Sequence, residues 1–493
     1  MAVPTTDDRP VPDVPAGRLA GGRLRTFDIV FFVVGAAAPL TVVAGSAPLA
    51  FRLGGIGAPA AYLFAGVVYI VFAVGFTAMS ERMANAGAFY AYISRGLAKP
   101  VGVGGALVAL LSYCAICTGF YGAFGYFARN TLADLTGVTV PWPLWALAAV
   151  AVVGCLGYRQ IDVGARVLGV FMVAEVLILV VVVVAVLVTG GPEGMSARSF
   201  QPGQVFGAGA GGMFVLVLGA FIGFEGTAIY SEETREPKRT IPRATYLAVA
   251  FLALFYTFAT WAATVGFGAD GLVGLAQSDD FGNMYFDLAE EFVGRAAKSV
   301  MEVLIVTSIF AALIAFHNAS TRYLFALGRE RLLPRRLART HTKHSSPHVA
   351  SVVMTAVSVV VVVFATLVHA DPYMQLLLWT NGVGITGIVA LQVLCALAVI
   401  RFFWKDNCGH HFTRVKAAPA LAAVGLTVGL YLMLTNFELL TGRTGWINAA
   451  LLSPVVLLGL GGAGYALRLR ARRPDLYAVL AGTDATQNTK ERS

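Results

Sequence analysis

An all-α polytopic membrane protein of twelve spans, with spans 1 and 6 unwound at mid-membrane, is the fold this sequence predicts. Three observations carry the prediction. Apolar residues make up 57% of the 493 and charged residues only 13%, about half the charge of a soluble domain. The apolar residues fall into runs near the ~20 needed to cross a hydrocarbon core. The basic residues sit on one side: with the N-terminus inside, 30 of the 36 Lys and Arg fall in inward-facing segments. That is the bias the positive-inside rule expects, and miscounting one span would destroy it. The net charge of +9 is therefore topological, which excludes a nucleic-acid role.

Residues 1–26 are polar and Pro-rich, have no signal-peptide core, and read as a disordered cytoplasmic tail. The membrane domain covers 27–467, with a first repeat at 27–190, a second at 208–400, and spans 11 and 12 within 417–467. Span 1 (27–51) contains Pro39 and Pro48 around Gly45-Ser46. Two prolines remove two backbone donors, so continuous helix is not expected. Spans 2 to 5 fall at 58–80, 101–128, 142–158 and 164–189. Span 6 is interrupted by Phe221-Ile222-Gly223-Phe224-Glu225-Gly226. Two glycines around a carboxylate make a poor helix interior. A loop with Glu232, Glu233, Arg235, Pro237 and Pro242 follows. Spans 7 to 12 fall at 244–266, 296–323, 348–368, 373–400, 417–436 and 446–467, and 468–493 is a basic cytoplasmic tail. Cys114 and Cys117 share a helix face, where small core residues are the reading and a metal or redox pair the alternative.

Interruptions five spans apart point to a 5+5 inverted repeat, spans 1–5 and 6–10, with a binding site at its midplane. Breaking a helix leaves free N–H groups at one new end and free C=O groups at the other. The amides suit a carboxylate and the carbonyls an ammonium, so an α-amino acid fits one pair of breaks. Glycines serving close helix packing are the alternative.

Phe221 to Glu225 with Glu232-Glu233 and Pro237-Lys238-Arg239-Thr240-Ile241-Pro242-Arg243-Ala244 resembles the span-6 signature of the amino acid–polyamine–organocation permease superfamily, whose fold is LeuT-like. Asn85-Ala86-Gly87-Ala88-Phe89-Tyr90-Ala91-Tyr92 is similar to its loop after span 2. Asn318-Ala319-Ser320-Thr321-Arg322 through Leu332-Leu333-Pro334 is similar to its loop after span 8. The family often has Gly-Ser-Gly in span 1; here Leu40-Thr41-Val42 stands at that place, followed by Val43 and, downstream, Gly45-Ser46. The resemblance implies that amides around Thr41 to Gly45 take a substrate carboxylate, and carbonyls of Phe221, Ile222 and Phe224, beside Glu225 and Gly226, its amino group. It implies side-chain contacts from spans 3, 8 and 10: Tyr113, Cys117, Phe316, Asn318, Trp379 and Asn381. Phe224 or Phe221 is a candidate gate, or else an ordinary lipid-facing aromatic.

Three carboxylates lie within spans, Glu175, Glu225 and Glu302, and an intramembrane acid is by default a functional hypothesis. Glu225 borders the break and is the first choice for a proton or ammonium partner. Glu175 stands where some members of the family place a lysine that substitutes for a sodium ion. Glu302 is a proton candidate or a partner for Lys298 one turn away, and His317 a carrier or a packing residue. Proton-coupled symport of amino acids across the cytoplasmic membrane is expected, with no cofactor. Exchange, or carriage of polyamine- or ethanolamine-type amines, is the alternative. Sodium coupling would need an oxygen cage, such as Ser308 or Thr307 near span-1 carbonyls. A non-transporting sensor or channel is the competing class. An enzyme is excluded: the sequence has no phosphate loop, His-rich metal cluster or G-x-S-x-G. The expected partners are a small molecule and the bilayer.

Overall fold

The computed structural model describes residues 25–82, 88–159, 165–207, 209–227, 234, 236–341 and 346–482. The expected tail ahead of residue 25, Asn85-Ala86-Gly87, Glu232-Glu233, Arg235 and the chain beyond 482 lie outside them. Among the described residues the fold is all helix, without strands. Eleven helices are long and apolar enough to cross a membrane, and Thr26–Gly35 is a shorter apolar helix. The sequence predicts twelve spans, and the difference lies at the first two. Thr26–Gly35 is short by itself, while Thr41–Ser80 runs on as one stretch of 40 residues. That stretch bends where Gly55 takes a φ of +64°, a conformation glycine adopts without penalty.

The first helix, α1 (Thr26–Ala37), starts where Asp28 accepts the Arg25 backbone N–H at 2.8 Å. After the first break come α2 (Ala47–Gly54) and α3 (Ala58–Ser80). A short α4 (Ala88–Gly96) leads into α5 (Lys99–Thr136), then α6 (Trp142–Arg159) and α7 (Ala165–Thr189). The buried α8 (Ala210–Gly219) precedes the second break, followed by α9 (Pro237–Phe267), which opens on a proline where no N–H is needed. The remaining long helices are α10 (Arg295–Arg329), α11 (His348–Leu367), α12 (Leu378–Phe402), α13 (Ala418–Thr435) and α14 (Trp446–Arg472). A short α15 (Pro474–Val479) and a tight helical turn at Leu480–Gly482 close the described chain.

Two groups of helices position the site. The first pairs α3 with α9 and places α8 against α2, α3, α12 and α13. In the second, α5 is the hub, packed on α10, α12 and α14, while α6 packs on α11. Small residues bring α5 and α12 together: a Cβ on Gly119 would stand 2.3 Å from Thr380 Oγ1 and 3.1 Å from Asn381 Oδ1. Helices in lipid associate through such close packing, because lipid is as apolar as their side chains. The outer helices show the converse, with Val188, Leu367 and Leu460 at least 70% exposed.

Candidate functional site

The first break begins at Ala38, in the left-handed region at φ +47°, which costs an alanine about 1–2 kcal/mol. Pro39 follows and has no N–H to continue the ladder. The chain then widens into a π-type turn over Thr41–Ser46. Three neighbours hold this segment. The Thr41 N–H and hydroxyl both donate to Ser308 Oγ of α10, at 3.3 and 2.9 Å. Ser308 donates in turn to Glu175 Oε2 of α7 at 2.8 Å. The Gly45 carbonyl accepts from the Tyr373 hydroxyl at 2.6 Å. A buried carboxylate, two hydroxyls and a backbone amide thus form one chain of hydrogen bonds.

The second break starts after Gly219. The ladder tightens to three-residue bonds, from Phe221 N–H to Leu218 O at 3.3 Å and from Ile222 N–H to Gly219 O at 3.0 Å. It then reverses at Gly223, whose φ of +116° only glycine holds easily. Glu225 closes the break on itself. Its Oε2 accepts the Gly223 N–H at 2.9 Å, and its Oε1 accepts the Tyr113 hydroxyl of α5 at 2.7 Å. The Thr227 and Thr245 hydroxyls, 2.9 Å apart, tie the far side of the break to α9.

A cavity of about 40 Å³ lies where the two breaks meet, room for a few water molecules. Thr41, Val42 and Ser46 face it from the first break, and Gly219, Ala220 and Ile222 from the second. The opposite wall comes from Ile116 and Phe120 of α5, Phe316 of α10, and Asn381 and Ile385 of α12. Phe120 and Phe316 stack with centroids 5.4 Å apart. Asn381 is buried, and among the described residues its Oδ1 has no hydrogen-bond partner. A larger open cavity of about 430 Å³, lined in part by Arg129, Trp142 and His369, includes no residue of either break. It is less suited to the chemistry of the breaks, despite its size.

Of the residues singled out in the sequence, Thr41, Val42, Ile222, Phe316 and Asn381 line the small cavity. Leu40, Val43 and Gly45 are buried in the first break without lining it. Glu225 belongs to the second break and Tyr113 stands one hydrogen bond behind it; neither lines the cavity. Cys117 is buried within α5, Gly226 belongs to the break, and Trp379 is half-buried; none of the three lines the cavity. Asn318 is exposed, because two residues beyond Phe316 a helix has turned its side chain well away. Phe221 and Phe224 are fully buried and face neither lipid nor cavity. Both pack on Tyr69 of α3, with centroids 5.1 and 5.3 Å away.

Glu302 is buried in α10. The expected partner is engaged elsewhere: Lys298 pairs with Asp287 at 3.1 Å and Glu290 at 2.7 Å, on the short helix Met284–Phe292. His317 is packed, with Nε2 2.9 Å from Ser351 Oγ. The sequence reading misses Ser46, Ile116, Phe120 and Ile385. The signal was present: Ile116 and Phe120 follow Tyr113 by three and seven positions, and Ile385 follows Asn381 by four, each on a shared helix face. Among the described residues no group of three or more His, Cys, Asp or Glu is placed to hold a metal.

Comparison with known proteins gives a consistent result. A family model described as amino acid permease matches residues 28–476. The low-affinity putrescine importer PlaP of Escherichia coli (strain K12) is 22% identical over 353 residues, 70% of this chain and 73% of that one. The branched-chain amino acid permease BcaP of Bacillus subtilis (strain 168) is 23% identical over 306 residues, 62% of this chain and 59% of its own. The lysine-specific permease LysP of Lactococcus lactis subsp. cremoris (strain MG1363) is 30% identical over a shorter stretch of 189 residues, 36% of this chain and 35% of its own.

Proposed function

This chain belongs to the amino acid permease family, and from that premise we propose that it is a secondary active transporter carrying amino acids by alternating access. It is a multi-pass membrane protein and not an enzyme; its relatives are transporters of amino acids or amines. Alternating access follows from the fold proposed with it: twelve spans, the first ten forming a 5+5 inverted repeat, in the cell membrane with both termini cytoplasmic. A stretch of 40 residues such as Thr41–Ser80 would be about 60 Å long as straight helix, twice the hydrocarbon thickness. With a turn near Gly55, the part before it is too short to cross alone and completes one span with Thr26–Ala37 across the first break, while Ala58–Ser80 is a second span; that reading supports twelve.

The observation that carries the reading is the cavity shared by the two breaks. Peptide groups released at mid-membrane are tolerated only where protein or a wet cavity receives them. In this reading they receive the carboxylate and the ammonium of one zwitterion.

The coupling ion is proposed to be a proton. Glu225 and Glu175 each hold a break through hydrogen bonds their carboxylates accept. A proton on either acid turns an acceptor into a donor and so changes how firmly that break is held. Glu302 touches neither break and ranks behind them. The similarity to a putrescine importer favours amine carriage as the second reading, and exchange remains the alternative to symport. The test is counterflow and gradient-driven uptake of labelled amino acids in proteoliposomes. A carrier shows saturable counterflow, and a proton symporter accumulates cargo when the outside is acidic. Absence of counterflow would sink the carrier reading in favour of a channel or sensor.

A further inference from the structure

We propose that the cargo is a neutral α-amino acid with a small or branched apolar side chain, and that Asn381 and Ile385 are the residues that enforce this choice. The inference rests on the reading of the shared cavity as the substrate site and narrows its substrate class. It starts from the charge inventory of the wall. Among the described residues, none of those lining the cavity is a carboxylate or a cation. Glu225, within the second break, has one oxygen taken by Tyr113 and the other by the Gly223 amide. Glu175 is engaged by Ser308, which itself receives both donors of Thr41.

The peptide ends at the two breaks provide for one carboxylate and one ammonium. A diamine or a lysine brings a further ammonium and needs a second acid to neutralise it. An unpaired charge in a buried site costs far more than neutral acceptors return. The wall that would receive the side chain is Ile116, Phe120, Phe316 and Ile385, apolar and partly aromatic.

Asn381 supplies the one polar side chain of that wall, and among the described residues its buried oxygen has no hydrogen-bond partner. The oxygen rests against Gly119 of α5; turned toward the cavity, the amide would accept a hydrogen bond from a cargo N–H without carrying a charge. Ile385 limits size. It presses on the second break so closely that a Cβ at Gly219 would lie 2.4 Å from its Cδ1. A long side chain therefore has to displace Ile385 or move the break.

The experiment measures thermal shift and competition on purified full-length protein, with alanine, valine, leucine, lysine and putrescine as probes. Competition is read against labelled valine in proteoliposomes. Expected is stabilisation and competition by the neutral three, with lysine and putrescine weaker by at least about tenfold, equivalent to ~1.4 kcal/mol. An Ile385→Asp variant is expected to shift the ranking toward lysine and putrescine. If that variant fails to fold, the wild-type ranking decides alone. Lysine or putrescine matching valine in the wild-type protein overturns the neutral-cargo inference and leaves the carrier reading standing. No binding by any of the five overturns both.

Discussion

Replacing Glu225 with glutamine separates the two jobs assigned to that carboxylate, holding the break and carrying a proton. Its oxygens accept from Gly223 N–H at 2.9 Å and from the Tyr113 hydroxyl at 2.7 Å. A glutamine keeps the shape and one acceptor oxygen, which can serve Gly223. Its NH₂ then meets the tyrosine hydroxyl, which can reverse and accept. Both contacts survive in neutral form, so the cost is about 1–2 kcal/mol, the difference between charge-assisted and neutral hydrogen bonds. Alanine instead strands a buried amide and a buried hydroxyl, at about 1–3 kcal/mol each. Glu225→Gln is therefore expected to fold and to retain counterflow, while Glu225→Ala fails to accumulate as folded protein. The decisive assay is proteoliposome uptake with the outside one pH unit more acidic. One symported proton then drives accumulation by up to about tenfold. Wild-type protein should approach that ratio, and Glu225→Gln should stay near unity while still exchanging label. A glutamine variant that accumulates cargo with the wild-type pH profile would remove Glu225 from the coupling mechanism.

Gly223→Ala forces a side chain into φ +116°, at about 1–3 kcal/mol of strain; initial uptake rates should fall roughly 5- to 100-fold, and an unaffected rate would show the turn to be dispensable. Ser308→Ala removes the oxygen that joins Thr41 to Glu175; KM should rise more than kcat falls, with partial recovery in Ser308→Thr. At the end of the bundle that carries the C-terminal segment, Glu330 accepts from the Tyr90 hydroxyl and, at 3.3 Å, from the Ala481 N–H. Burial holds its carboxyl above the usual range, so the docked segment binds a proton more tightly than the undocked one. Docking should be firmest below the ordinary glutamate value and weaken as pH rises through the raised one; hydrogen exchange at Tyr477 to Ala481 measures this, and Glu330→Gln should flatten the response.

The two breaks were legible in the sequence because each violates a local rule. Pro39 removes a donor, and Gly223 and Gly226 flank a charge inside an apolar run. Such violations need no tertiary information to be seen. The cavity wall was harder to read, because Ile116, Phe120 and Ile385 look like any core residues until α5 and α12 are placed. Asn318 drew notice as a polar residue in a motif, yet the helix turn points it outward. Lys298 invited pairing with Glu302 by spacing alone, whereas two acids of a neighbouring helix compete better for its ammonium. Ala38 was only half legible: Pro39 steers it away from the right-handed helical region, but alanine has no preference for the left-handed one it adopts.

The placement of the two acids also bears on why the second break contains a carboxylate at all. A mid-membrane reversal with Gly223 at φ +116° leaves an amide that must find an acceptor away from water. A serine or threonine hydroxyl could serve it at lower desolvation cost than a glutamate. A single hydroxyl oxygen can accept two bonds where both donors converge on it, as Ser308 Oγ does from Thr41. Glu225 instead spreads its acceptors over two oxygens, one for Gly223 and one for Tyr113, and an amide side chain serves both only by reversing one partner. The first break reaches the same end with Ser308 as intermediary and Glu175 behind it. Each broken helix is thus fastened to a different neighbour, α5 for the second and α7 with α10 for the first, through an acid whose proton count sets the bonds it can accept. If holding the break were the whole task, Glu225→Gln would lose about 1–2 kcal/mol of stability and leave accumulation unchanged. The prediction that it abolishes accumulation while sparing exchange is where a purely structural role and a coupling role part.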